Sequence, residues 1–155
     1  MSRRAALAAL VVVTFGCGDD GKGEPPLFPA DYTATYQEVR NCRFSLDHDL
    51  LHIRVLAAPD ALTPYVGRAA PFPTGAIVLK EQYGQDDTTC AGPLVNFTVM
   101  EKLDVASSPA TLDWSWQKVG ADRHTLKVDI KSCTSCHSDC GKPANNGYDG
   151  TCTVP

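Results

Sequence analysis

The sequence predicts an α+β fold, a mainly antiparallel β-sheet with a few short helices. Three observations carry this. The run Leu51-His52-Ile53-Arg54-Val55-Leu56 alternates apolar and polar residues with the period of two that a half-buried strand needs. Further β-type runs at 76–83, 94–103 and 112–119 are separated by turn residues. No stretch holds the three-and-four apolar spacing of a long helix.

Taken in order, Asp31 can cap a helix over 31–40, with Tyr32, Tyr36 and Val39 on one side. The strand at 51–56 puts Leu51, Ile53 and Val55 on one face and His52, Arg54 and Leu56 on the other. The two prolines of 59–66 allow a short helix, and Pro71, Pro73 and Gly75 mark a loop. The strand at 76–83 carries Lys80 on the face of Ala76 and Val78, so that its stem runs along an apolar surface, while Glu81 points the other way and receives no role. The last strong strand pairs two indoles on one face, Trp114 and Trp116, as residues for burial.

The N-terminus reads as an export signal. Arg3 and Arg4 precede 11 uncharged residues at 5–15, well short of the ~20 needed to span a bilayer. This run ends at Thr14-Phe15-Gly16-Cys17, which resembles a bacterial lipobox. Residues 1–17 are therefore expected to be a lipoprotein-type signal peptide, with Cys17 lipidated and the protein held on the periplasmic side of a membrane. Residues 18–30, polar and rich in Gly and Pro, read as a flexible tether. Residues 31–155 then form one domain, enough for one modest core. A net charge of −4 with no basic block argues against nucleic acid as a partner.

The chemistry concentrates in Cys133-Thr134-Ser135-Cys136-His137. A C-x-x-C-H run admits a structural disulfide, half of a zinc site, or attachment of a c-type haem, in which each thiol bonds a vinyl group and His137 ligates the iron. Zinc needs further ligands, and Cys140 supplies at most one nearby. Export favours haem, and the expectation is one covalent haem c held by Cys133, Cys136 and His137. With Cys17 also assigned, four of the seven cysteines remain, and they allow three pairings. The favoured one is Cys42 with Cys90 and Cys140 with Cys152, because the last pair brackets a tail with little apolar content. Met100, His48, His52 and His124 are the candidates for a sixth iron ligand. For Met100 a core role is expected, and for His48 and His52 a surface role.

Several segments in this order resemble the cytochrome P-460 family: Phe72-Pro73-Thr74-Gly75-Ala76-Ile77-Val78-Leu79-Lys80-Glu81, then Phe97-Thr98-Val99-Met100-Glu101-Lys102, Asp113-Trp114-Ser115-Trp116 and the C-x-x-C-H. The resemblance implies a dimerising β fold with one c-type haem and an open distal side. It implies that Lys80 stands where the family's hydroxylamine-oxidising members carry a lysine cross-linked to the haem, that Arg54 is a pocket arginine, and that Phe72 contributes to the pocket wall. Lys80 and Arg54 are thus the expected catalytic pair. The ligand would be hydroxylamine or a related small nitrogen species, with electrons leaving to a redox partner protein. Related cytochromes c′-beta instead bind nitric oxide or carbon monoxide. A plain electron-transfer cytochrome is the remaining alternative. The added cysteines depart from the hydroxylamine oxidases.

Overall fold

The computed structural model describes residues 23–152, so the expectations for residues 1–17 and Cys17 lie outside the described residues. Six strands form a single antiparallel meander, in which every strand pairs with its sequence neighbour. They are β1 (Gln37–Ser45), β2 (Leu51–Ala57), β3 (Ile77–Tyr83), β4 (Leu94–Lys102), β5 (Trp114–Gly120) and β6 (Thr125–Val128). Helix α1 (Pro59–Gly67) follows β2, and α2 (Lys131–Cys140) follows β6. The β1–β2 and β5–β6 links are tight turns, whereas the β2–β3 link contains α1, and in every case the chain returns to the neighbouring strand, as uncrossed connections do. None of the described helices is long and apolar enough to cross a membrane.

The register fixes which side chains share a face. Arg40 of β1 pairs with Val55, Val55 with Lys80, Lys80 with Thr98, and Thr98 with Lys118. One row along, Ala57, Val78, Met100 and Trp116 line up in the same way. This face carries the larger core, where Ala61 and Tyr65 of α1 and the loop residue Phe72 join Val55, Val78, Met100, Trp114 and Trp116. The other face buries Leu56, Leu79, Phe97, Val99 and Val119.

That second face is covered by residues expected to be tether and helix. Phe28 is 2 % exposed and packs its ring 5.0 Å from Phe97 and 5.4 Å from Tyr32. Gln117 Nε2 donates to Pro25 O at 2.9 Å, and Arg123 Nη2 to Phe28 O at 2.8 Å. The segment 25–28 is therefore packed and not a tether. Over 31–40 the expected helix is replaced by one turn, Tyr32–Ala34, followed by β1. Val39, β-branched and stiff at χ1, suits a strand, and pairing with β2 supplies the hydrogen bonds that a helix there would have made.

Two disulfides hold the periphery. Cys42–Cys90 ties β1 to the β3–β4 connection, with Cα atoms 5.6 Å apart, and Cys140–Cys152 ties the end of α2 to the C-terminal loop, at 4.8 Å. Both are the pairs favoured from sequence.

Candidate functional site

Helix α2 presents Cys133, Cys136, His137 and Cys140 at positions i, i+3, i+4 and i+7, which is one helical face. Cys140 is spent in its disulfide, while the thiols of Cys133 and Cys136 are free. Cys133 is half-buried, and that burial pushes its thiol above the usual range, against the pull of the nearby Lys80 charge. Although His137, Cys140 and Cys152 converge, the last two sulfurs are bonded to each other and cannot act as thiolate ligands, so a zinc site is not formed there.

His137 is held from two sides. Its ring lies 4.4 Å from that of Trp116, and its Nδ1 is 2.7 Å from the carbonyl oxygen of Gly150. A carbonyl only accepts, so Nδ1 carries the proton and Nε2 is left with a free lone pair, the arrangement of a metal-binding imidazole. Burial lowers the pKa of the ring to about 4, with the Gly150 carbonyl opposing and the Lys80 charge adding to the effect. The imidazole is neutral at pH 7.

The Gly150 carbonyl is itself aimed by a chain of contacts. Asp149 accepts from Lys102 Nζ at 2.7 Å through its carboxylate and from Trp114 Nε1 at 2.8 Å through its carbonyl. Gly150 has φ +84°, and a Cβ there would stand 2.8 Å from Trp114 Nε1, so only glycine fits. The Cys140–Cys152 bond closes this loop onto α2.

Cys136 and His137 face a cavity of about 530 Å³, within the size range of sites for small molecules and cofactors. The sheet contributes Ile53, Val55, Val78, Met100 and Trp116 to its wall, and Lys80 points into it from β3. Lys80 thus shares the cavity with His137, and burial lowers its amine to a pKa of about 8. Arg40 and Arg43 of β1 and His48 of the following turn line another part. The Nε atom of Arg40 is buried without a hydrogen-bond partner in the protein. Burial, reinforced by the like charge of Arg43, lowers the Arg40 pKa. His48 is held neutral, its pKa pushed down to about 3 by burial and then by the charge of Lys80, with Asp49 opposing.

Arg54 stands elsewhere. Its register partner is Glu81, one position off the Val55–Lys80 pair, so strand alternation places Arg54 and Lys80 on opposite faces of the sheet. Arg54 donates through Nε to Glu81 Oε2 at 2.7 Å and through Nη2 to Tyr83 Oη at 2.9 Å. Glu81, 1 % exposed, also accepts from Tyr32 and Tyr83. Arg54 is therefore part of a structural ion pair and not of the cavity. The arginines that reach the cavity are Arg40 and Arg43, and the expected helix over 31–40 hid the first of them from sequence reading.

The other candidates separate in the same way. Phe72 packs 5.1 Å from Trp114 and buttresses the C-terminal loop from behind; it does not line the cavity. His52 packs against Phe44 on the Arg54 face, and His124 is exposed beside Asp122. Met100 is buried, with its Cε 3.7 Å from where a Cβ of Gly150 would stand, so it lies on the side of the cavity that holds His137. His48, expected at the surface, is the imidazole that shares the cavity with His137.

The donor set fits a haem. Two unpaired thiols and a histidine share one helix turn, Cys136 and His137 lining the cavity and Cys133 half-buried beside it, and the half-buried Arg40 brings a buried, unpartnered Nε to another part of the wall. No curated protein matches the chain. Cytochrome P460 matches residues 30–144, most of the chain and nearly all of the described fold, and the chain belongs to this family of haem proteins.

Proposed function

We propose that this chain carries one covalent haem c and uses it to bind and oxidise hydroxylamine or a related small nitrogen species. The observation that carries the proposal is that Cys136, His137 and Lys80 line one cavity, with the free, half-buried thiol of Cys133 one helical turn before Cys136. When bound, the haem supplies an iron that takes small nitrogen ligands and passes electrons on.

The chain's own residues set the conditions. Cys133 and Cys136 would fix the macrocycle through two thioether bonds, and the Gly150 carbonyl keeps His137 in the tautomer that ligates. Arg40 brings a positive charge and an unsatisfied donor to the cavity, suited to orienting a dipolar or anionic ligand. With a pKa near 8, about a tenth of Lys80 is unprotonated at pH 7, hundreds of times more than for an ordinary lysine. An unprotonated amine is what bonding to a haem carbon requires, and this favours the hydroxylamine-oxidase reading over simple capture of nitric oxide or carbon monoxide.

Two disulfides among the described cysteines accord with an oxidising compartment. We place the protein on the periplasmic side of a bacterial membrane, anchored through Cys17 and passing electrons to a soluble redox partner. The test compares haem-loaded wild-type and Lys80→Ala protein. Wild-type turnover of hydroxylamine, with a spectrum that changes on loss of Lys80, supports the proposal. Nitric oxide binding without hydroxylamine turnover, and a spectrum indifferent to Lys80→Ala, would refute it in favour of a binding module.

A further inference from the structure

We propose that His48 is a displaceable sixth ligand of the haem iron, closing the face opposite His137 until a small ligand takes its place. The proposal rests on the haem reading above and concerns the one feature that reading left open. Its basis is the turn between β1 and β2. Leu46 and Leu50 in this turn are 74 % and 47 % exposed, whereas His48 between them is half-buried against the cavity that also holds His137.

The turn does not project away from the sheet. Lys118, on the cavity face of β5, lies with its Nζ 3.4 Å from the Asp49 carboxylate. Strands sit about 4.8 Å apart and β5 is three strands from β2, so the turn must lean across the cavity face to make that contact. Asp49 and Leu50 make this path with left-handed backbone, φ +59° and +57°, and Leu51 N donates to His48 O at 3.1 Å to close the turn. His48 is thereby carried over the cavity on a strap tied, among the described residues, by the partly exposed Lys118–Asp49 ion pair. Such pairs are weak, and the strap can open.

The ring is prepared for the role. Its Nδ1 meets Ser45 Oγ at 2.6 Å, which sets the ring plane, and its Nε2 makes no hydrogen bond among the described residues. A histidine ligand is commonly oriented by such a bond at its other nitrogen. Of the remaining candidates, Met100 lies on the His137 side, and His52 and His124 lie outside the cavity. Among these candidates His48 is the imidazole that shares the cavity with His137.

The experiment uses ferric, haem-loaded full-length protein in three forms: wild type, His48→Ala and His48→Met. Optical and electron paramagnetic resonance spectra report the spin state, and stopped-flow mixing reports nitric oxide binding. Wild type is expected to be six-coordinate and low-spin. His48→Ala is expected to be high-spin and to bind nitric oxide at least tenfold faster, because no protein ligand must leave first. His48→Met is expected to restore a low-spin state with the absorption of a thioether–iron bond. A wild-type spectrum that is high-spin, or low-spin and unchanged by His48→Ala, overturns the assignment. A wild-type protein that carries no haem overturns the haem reading instead, and the two failures are told apart by the haem band.

Discussion

Replacing Cys140 and Cys152 together by serine removes the bond that holds the C-terminal loop to α2, and its effect can be worked from the loop it closes. The cysteines are 12 residues apart. In the chain-entropy model a loop of this size restricts the unfolded chain by about 3 kcal/mol, roughly a 150-fold change in the folding equilibrium. With a urea slope of about 1–3 kcal/mol per molar, the midpoint should fall by about 1–3 M. Trp114 and Trp116, both buried, provide the fluorescence signal for the titration. The loop also bears the Gly150 carbonyl that fixes His137, so the variant should lose order at the site as well as stability. Orienting contacts of this kind are worth about 10–100-fold in metal affinity or activity. A midpoint within a few tenths of a molar of wild type would show that Asp149, held by Lys102 and Trp114, anchors the loop without the disulfide, and would refute the reasoning.

Three further expectations follow from the same geometry. In haem-free protein, Lys80 has a folded pKa of about 8 against 10.5 when unfolded, so the unfolded chain binds more protons in this window and stability rises with pH between them. Discounted for partial exposure the gain is about 1–3 kcal/mol, and Lys80→Met should abolish it; an identical pH profile in that variant would contradict the burial of the amine. Arg54→Ala leaves Glu81 buried without its cation and should cost about 3–5 kcal/mol in a urea titration, yet leave the spectrum of folded protein unchanged. A spectral change would return Arg54 to the cavity. Arg40→Ala should weaken binding of an anionic ligand such as azide by about tenfold, with carbon monoxide affected little; equal losses for both would argue against a charge role.

The strands β2 to β5 were legible because alternation and turn residues agree in each, and the chemistry carried by α2 because its cysteine spacing has a chemical reason. Strand β1 was not. Its sequence, Gln37–Ser45, holds two arginines, an asparagine and little apolar content, and it becomes a strand only through pairing with β2. The same misreading concealed Arg40. Alternation alone correctly placed Arg54 opposite Val55, but the alignment of Val55 with Lys80 depends on register between two strands, which no single strand encodes. Phe28 sits among glycines and prolines, and only the sheet face it covers distinguishes it from a tether. His48 looked like a surface residue because the path of its turn is set by left-handed residues and by a contact three strands away.

The central claim is that Cys133, Cys136 and His137 hold a covalent haem. Its most direct test is the mass of the peptide spanning these residues, taken from protein matured in a host that attaches haem c, beside the same digest of Cys133→Ala/Cys136→Ala. The account predicts a wild-type peptide heavier by one haem, with both thiols consumed, and a variant peptide without it. A wild-type peptide recovered with two free thiols and no haem would contradict the account.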